Sequence, residues 1–580
     1  MRELRLRVRD FTGLDRWRWE LTAPDGRVLA RHEVRLDREA PQFEAFLDLP
    51  GYVRRNAAPD QRVAREREIV REVGAWAGER ILGPAAELLA DAAPAVLRVV
   101  VPADAPQARR LLYVPLELAR LRGRPLTAWG LTPVTQIGDA RPGERDVPAA
   151  GRPVRMLALF SLPEGSRALN LRRERRALTR LCDRAGRAVE LHTLQYGVTR
   201  DRLRALLERP EGWDVVHVSA HGTPGELLLE TDTGRADRVL APDLARLLAG
   251  ARGVRLVTLA ACWSGALAAR EQRRALGVPA AADDDAFDGG AAGPGPEAVG
   301  ALAGALVERL DCAVLAMRHP VADPFAIALA ESLYGLLLDG RALPEALTEA
   351  VTAASDTAGP AFQAATPALF GALAAGLRLV PGPGPRGDTF ARPDPRGGAV
   401  RGDGTREGAV SGDGPGEGAV SGDEPREGAV FVAGGGGAPG VAERFVGRGG
   451  VMARASAALA PRSGLCGVLL LGMPGAGKTA CARELAATHA HAFDAVVWCR
   501  VPEEAEPGSL LADLALALDR AVPEPGCVPL LDDPTTFGEF VAAVAGRLDR
   551  RRLLVVVDRV DGLLAPGGGW RDGGGGCSRD

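Results

Sequence analysis

Two short stretches decide the fold: DVVHVSAHG at residues 214–222 and LVTLAACWSG at residues 256–265. Each begins with an apolar run of the length of a buried strand, and each ends in small residues beside one reactive side chain. In parallel α/β sheets, the loops at the carboxyl ends of the strands form the functional crevice. If the two strands are neighbours, His221 and Cys262 leave the sheet side by side.

The flanking sequence alternates apolar runs with amphipathic stretches, which predicts an α/β domain with a largely parallel sheet over residues 151–380. Further strands are predicted at 155–161, 188–194 and 313–317, and helices at 172–185, 199–210, 297–310 and 325–338.

The His221 and Cys262 pair has the chemistry of a cysteine nucleophile and its base. A thiol with a pKa of about 8.5 is mostly protonated at neutral pH, and an adjacent imidazole can accept its proton. Attack on a peptide carbonyl builds an oxyanion, which needs N–H donors. Gly222 has no side chain, so its N–H can approach a substrate, and the N–H of Cys262 is the second donor.

Other interpretations of these residues involve no catalysis. A lone cysteine after a strand is usually a small buried hydrophobe, and a lone histidine at a strand end is usually structural. A metal site at His217 and His221 is disfavoured, because four residues along a strand span roughly 13 Å. We therefore interpret His217 as a core residue.

The segment 151–380 resembles the CHAT family of caspase-like peptidases of clan CD. The resemblance rests on VELHTLQYGVTRDRL, GWDVVHVSAHG, GELLLETDTG, LVTLAACWSG and AMRHPVADPFAIALAESLYGLLLDGRALPEAL, in the family order. It implies a caspase-like α/β/α sandwich, with His221 as the His-Gly histidine and Cys262 as the strand-end cysteine. It also implies a protein substrate and no cofactor at the peptidase site.

Two features depart from the family or stand apart from it. The residue after the cysteine, often acidic in the family, is Trp263 here. The loop 266–296 carries Asp283, Asp284, Asp285 and Asp288; it is either a solvated loop or a linker that the enzyme cuts itself.

The rest of the chain divides by composition. Residues 1–150 look like a strand-rich N-terminal region of unknown role. Residues 381–440 repeat Gly-Ala-Val every ten residues within Gly, Asp and Glu, which is too little apolar surface to order, so we predict a linker. Residues 441–580 begin a second α/β domain, with strands at 467–471, 493–501 and 553–558. Its glycine-rich end makes it look incomplete, and leaves open a decayed or frame-shifted gene product.

The second domain carries a phosphate-binding loop. Gly472, Gly475, Gly477, Lys478 and Thr479 fit G-x-x-x-x-G-K-[ST], between an apolar run and a helix. Backbone N–H groups would wrap the phosphates of ATP, and Lys478 would reach the β- and γ-phosphates. Lys478 is the only lysine in the chain, which favours a role that arginine cannot fill.

The Mg²⁺ ligands would be Thr479 and Asp558, the latter at the end of the apolar run LLVVVD. With ERFVGR at 443–448, these motifs resemble STAND signalling NTPases such as the NB-ARC group. The resemblance implies a nucleotide-dependent switch and possible homo-oligomerisation on activation. Arg559 stands where the family often has a second acid, and the next acid is Asp561, which leaves ATP hydrolysis uncertain.

Composition limits the possible partners and location. The net charge is −3, so no basic excess points to nucleic acid or an anionic membrane. No apolar run approaches the roughly 20 residues of a membrane span. The eight cysteines are scattered, as expected for free thiols in a reducing cytosol. Abundant Gly, Ala, Arg and Pro are typical of a GC-rich bacterial genome.

Together these observations predict a cytoplasmic, caspase-like cysteine endopeptidase regulated by a nucleotide-binding switch module. The resemblance to the CHAT family further implies a role in bacterial defence or death signalling. The alternative is a nucleotide-dependent signalling scaffold whose CHAT-like domain binds a partner without cutting it. The reactivity of Cys262 separates the two.

Overall fold

The computed structural model describes most of the chain. The described residues are 2–58, 62–139, 152–167, 169–277, 301–357, 359–379, 430–433, 445, 447–459, 465, 467–501, 507–521, 526–531 and 537–563. The aspartate cluster at 283–288, nearly all of the predicted linker and the glycine-rich end lie outside them.

Nineteen strands are present among the described residues. They are β1 Arg2–Gly13, β2 Arg16–Thr22, β3 Val28–Arg35, β4 Ala95–Val101, β5 Arg120–Leu121, β6 Arg124–Pro125, β7 Leu131–Ile137, β8 Val154–Phe160, β9 Val189–Gln195, β10 Val215–Ser219, β11 Gly222–Thr223, β12 Glu226–Glu230, β13 Ala236–Leu240, β14 Leu256–Ala260, β15 Ala313–Met317, β16 Pro367–Phe370, β17 Val430–Ala433, β18 Ala495–Arg500 and β19 Leu553–Asp558.

Fifteen α-helices lie in the same part of the chain. They are α1 Pro41–Leu47, α2 Leu49–Asn56, α3 Arg62–Trp76, α4 Ala85–Ala92, α5 Leu171–Ala185, α6 Arg200–Leu207, α7 Ala241–Leu248, α8 Ala269–Ala275, α9 Leu302–Arg309, α10 Asp323–Leu338, α11 Leu343–Ala354, α12 Gly449–Ala458, α13 Lys478–His489, α14 Pro507–Ala521 and α15 Phe537–Arg550.

The central feature is an eleven-stranded sheet in the order β3-β2-β1-β4-β7-β16-β15-β14-β10-β8-β9. Because side chains alternate along a strand, β8 sends Met156 and Phe160 into the core beneath α5, α10 and α11. It sends Leu157 and Leu159 into the opposite core, beneath α6, α7 and α9. Helices therefore cover both faces, and the α/β/α sandwich expected from the sequence is confirmed.

The N-terminal region shares this sheet, which differs from the boundary predicted at residue 150. Strand β7 pairs in parallel with β16, so β1–β4 and β7 continue the sheet of residues 151–380. Residues 1–382 fall in one compact unit, together with 444–476. The sequence could not show this, because β7 pairs with a strand more than 200 residues later and such a pairing leaves no local pattern.

The second unit covers residues 383–443 and 477–580 and contains the sheet β17-β18-β19. The strands predicted at 493–501 and 553–558 are present as β18 and β19. The strand predicted at 467–471 is wrong: these residues form no strand, and Leu471 is 83% exposed. Val430–Ala433, assigned to the linker from sequence, pairs with β18 instead. Each of these apolar runs has strand propensity, but propensity does not select the pairing partner.

No helix among the described residues is long and apolar enough to cross a membrane.

Candidate active site

The two strands that carry the predicted pair are neighbours. Strands β10 and β14 pair in parallel, with Ser219 opposite Ala260 in the register. His221 and Cys262 each follow two residues later. The two side chains therefore leave the same edge of the sheet from adjacent strands, as the sequence predicted on the condition that the strands were neighbours.

Gly222 lies against the backbone of Cys262. A Cβ added to Gly222 would be 2.7 Å from the carbonyl oxygen of Cys262 and 3.2 Å from the Cβ of Ala261. Only glycine fits this approach without displacing the neighbouring strand end. The close approach therefore places the backbone of Gly222 beside that of Cys262.

The imidazole of His221 is held by a backbone carbonyl. Its Nε2 lies 2.6 Å from the carbonyl oxygen of Arg167. A carbonyl only accepts hydrogen bonds, so Nε2 carries the proton and Nδ1 of the neutral ring keeps its lone pair. Sequence reasoning missed Arg167, because any residue supplies a carbonyl.

The thiol of Cys262 is neutral in this state. Burial raises the pKa of Cys262 above its ordinary value, a hydrogen bond with the backbone of Val321 lowers it, and the charge of Asp323 raises it. Arg167 opposes the shift more weakly. The raised pKa means that little thiolate forms at neutral pH unless another group accepts the proton.

Trp263 occupies the position where the family often has an acid. Its backbone is left-handed, with φ of 62°, a conformation that costs about 1–3 kcal/mol in a non-glycine residue and is found at functional sites. Its ring packs edge-on against His319 with centroids 6.0 Å apart, and His319 packs in turn against Phe362. Burial lowers the pKa of His319 to about 3, so the ring beside Trp263 is uncharged.

Asp323 connects the loops on the two sides of the site. Its Oδ2 accepts the backbone N–H of Asn170 at 2.8 Å, and its charge acts on Cys262. Asn170 lies three residues after Arg167, whose carbonyl holds His221. Sequence analysis quoted Asp323 within a family segment but assigned it no role.

His217 is a core residue, as predicted. It is wholly buried, with Nδ1 3.0 Å from the hydroxyl of Tyr334 and Nε2 3.1 Å from Glu174. Ser219 also donates to Glu174. In the described part of the chain no group of three or more His, Cys, Asp or Glu side chains could hold a metal ion.

Part of the predicted nucleotide site comes together in the second unit. Lys478 and Thr479 begin α13, and Asp558 ends β19. The hydroxyl of Thr479 donates to Oδ1 of Asp558 at 2.7 Å. Gly475 and Gly477 have φ of 76° and 82°, the left-handed conformation that a glycine-rich phosphate loop uses.

The boundary between the two compact units falls inside this loop, between Ala476 and Gly477. Gly472 and Gly475 therefore belong to the first unit, and only Gly477, Lys478, Thr479 and Asp558 lie together in the second. A hydroxyl and a carboxylate within hydrogen-bond distance fit the oxygen ligands that Mg²⁺ prefers.

Comparison with known proteins identifies the family. The model of the CHAT domain matches residues 71–371, across the boundary predicted at residue 150. No curated protein matches the chain. Among the solved structures that are similar over part of the chain are the following two.

One is the complex of pro- and mature domains of RgpB from Porphyromonas gingivalis, at 10% identity and a TM-score of 0.31, covering 56% of this chain and 72% of that one. The other is a secreted C11 cysteine protease from Bacteroides thetaiotaomicron bound to an irreversible peptide inhibitor. It matches at 12% identity and a TM-score of 0.22, and the match covers 34% of this chain and 57% of that one. The family match covers more than half of the residues, and the chain belongs to the CHAT domain family.

Proposed function

We propose that the chain is a caspase-like cysteine endopeptidase that cuts a protein substrate through Cys262 and His221. The observation that carries the proposal is the adjacent, in-register exit of the two side chains from β10 and β14. The carbonyl of Arg167 adds to it, because it leaves Nδ1 of His221 free to act as the base.

The reaction follows from these groups. The sulfur of Cys262 attacks the scissile carbonyl carbon while its proton passes to Nδ1 of His221. The N–H groups of Gly222 and Cys262 bind the oxyanion. His221 then protonates the amine, which leaves as the C–N bond breaks and a thioester remains. Water loses a proton to His221, attacks the thioester, and releases the acid product and the thiol.

The proposal is tested with fluorogenic peptides that differ only in the residue before the cut: Arg, Lys, Asp, Leu or Met. We expect at least one peptide to be hydrolysed by the full chain and none by Cys262→Ala. Hydrolysis that persists in Cys262→Ala would assign the activity to a contaminant.

The scaffold alternative is favoured by one observation, the raised pKa of the Cys262 thiol, since inert buried cysteines share it. Equal inertness of wild type and Cys262→Ala toward all five peptides, with and without MgATP, would support the scaffold.

We further propose that the second unit binds MgATP and regulates the peptidase. Lys478 would neutralise the phosphates, Thr479 and Asp558 would hold Mg²⁺, and the ion would screen phosphate charge. The contact between Thr479 and Asp558 supports this assignment.

We expect Lys478→Ala to weaken MgATP binding about tenfold or more, because a charge that contacts phosphate is lost. Titration of a fluorescent ATP analogue measures the affinity. Lys478→Arg is the control for charge alone: we expect it to bind weakly as well, since guanidinium does not replace the compact ammonium. Unchanged affinity in Lys478→Ala would refute the assignment.

The roles in bacterial defence or death signalling, the cytoplasmic location and oligomerisation on activation stay predictions from the sequence.

A further inference from the structure

The segment that leads into the phosphate loop packs on the peptidase unit. Residues 444–476 cluster with residues 1–382, although the sequence placed them in the nucleotide-binding domain. In α12, Met452, Ala453, Ala455 and Ser456 are buried. We call Phe445 together with residues 447–458 the docked segment.

The docked segment begins with an aromatic contact. The ring of Phe445 lies 6.5 Å from that of Tyr196, edge-on. The guanidinium of Arg172, on α5, lies 5.7 Å from the centre of the same ring. Cation–π and aromatic contacts of this kind add specificity to an apolar contact.

Helix α12 then approaches the peptidase backbone closely. A Cβ added to Gly450 would lie 2.8 Å from the carbonyl oxygen of Thr233, and one added to Gly234 would lie 2.8 Å from Gly450. A Cβ on Gly197 would lie 3.3 Å from the carbonyl oxygen of Ala453. Glycines on both surfaces therefore permit backbone-to-backbone packing.

The surface beneath the docked segment is tied to the loop of residues 161–167. The buried carboxylate of Glu230 accepts the N–H of Leu162 at 3.1 Å and that of Gly197 at 2.5 Å. The N–H of Glu164 donates to the carbonyl of Gly234 at 2.7 Å. The turn and the loop that the segment covers are thus joined by hydrogen bonds.

The same loop ends at the catalytic histidine. Arg167 lies three residues after Glu164, and its carbonyl accepts the Nε2 proton of His221. A shift of the loop would move this acceptor and remove the contact that holds the ring with Nε2 on the carbonyl of Arg167. Displacements of about 1 Å at a catalytic base can cost on the order of 100-fold in rate.

We propose that the docked segment positions the loop of residues 161–167, and through it His221, so that its release from the peptidase surface lowers peptidase activity. This inference rests on the proposed function and names the regulation of the same site. Since the segment precedes Lys478 in the chain, a nucleotide-dependent change in the second unit has a covalent route to it.

Two adjacent glycines of α12 supply a matched test in the full chain. Gly450→Ala introduces a Cβ 2.8 Å from the backbone oxygen of Thr233, whereas in Gly449→Ala the nearest atoms lie at 3.9 Å. Both changes favour the helix itself, because alanine has the higher helix propensity. Any difference between them therefore comes from the contact with the peptidase unit.

We expect Gly450→Ala to lower kcat about tenfold with little change in KM, because the base and not peptide binding is affected. Gly449→Ala should match wild type. Hydrogen exchange of residues 452–458 reports docking: protection should fall in Gly450→Ala alone. Loss of protection with unchanged kcat would overturn the proposal.

Phe445→Ala is the second variant, and it is used if the docked segment stays on the peptidase unit in Gly450→Ala. It removes the ring between Tyr196 and Arg172 and should lower both protection and kcat. Retained protection together with lowered kcat in both variants would also overturn the proposal.

Failure of the proposed function has a separate signature. If His221→Ala hydrolyses peptides and undergoes Cys262 alkylation at the same rates as the wild-type chain, the peptidase assignment fails. If these rates depend on His221 but Gly450→Ala and Phe445→Ala behave as Gly449→Ala does, only the positioning role fails.

Discussion

Replacing His221 by alanine is expected to lower kcat for peptide hydrolysis by about 10²–10⁴-fold, the usual contribution of a positioned base. The reason is the resting state of the nucleophile. Burial raises the pKa of the Cys262 thiol, so little thiolate exists at pH 7 without a proton acceptor. Initial rates on any peptide cleaved by the wild type measure the effect.

His192→Ala is the matched control. His192 lies on β9, at the edge of the sheet, with Nε2 2.7 Å from Glu190. His192→Ala makes the same histidine-to-alanine change outside the site. We expect its kcat to stay within about twofold of wild type, as for most changes away from a site. A comparable loss in both variants would trace the effect to folding.

Alkylation of Cys262 by iodoacetamide gives the pH dependence without a substrate. A raised thiol pKa means that thiolate is scarce below that pKa and accumulates as pH rises through it, so wild-type alkylation should be slow at pH 7 and climb beyond pH 9. Asp323→Asn should raise the rate at neutral pH, since it removes the carboxylate that raises the pKa. Its amide oxygen still accepts from Asn170. Fast alkylation of the wild type at pH 6 would contradict the neutral resting thiol.

The parts of the site that the sequence predicted are those with a side-chain signature. His221, Cys262 and Gly222 stand at the ends of apolar runs, and the runs themselves encode buried strands. That β10 and β14 are adjacent was a condition of the sequence argument and not its result, because burial of a strand does not specify its neighbour.

The missed parts have no local signature. Arg167 acts through its carbonyl, which every residue has. The packing of the docked segment depends on glycines of two segments that meet only in the folded chain. The third strand of the second unit was missed for the same reason. The sequence predicted a strand at 467–471, but Val430–Ala433 pairs with β18. Several apolar runs were candidates, and tertiary contacts decided which of them paired.

Removal of Glu117 is expected to destabilise the peptidase unit by about 3–5 kcal/mol, as for one partner of a buried ion pair. Glu117 accepts two hydrogen bonds from Arg318, at 2.7 and 3.1 Å, and their side chains are 9% and 2% exposed. Glu117 belongs to the N-terminal region, and Arg318 directly follows β15. The pair therefore joins the N-terminal region to the end of β15. The next residue, His319, packs against Trp263 beside Cys262.

Urea unfolding of Glu117→Ala, followed by tryptophan fluorescence, measures the loss. Glu33→Ala removes one partner of the exposed pair with Arg16, and its midpoint should not shift resolvably, because exposed pairs contribute little. The double variant Glu117→Leu with Arg318→Met separates two causes. If the cost of Glu117→Ala is the unpaired guanidinium left beside Phe370, the double variant should recover most of the stability. If the double variant is as unstable as Glu117→Ala, the shape of the ion pair, and not its charge balance, holds the N-terminal region to the catalytic strands.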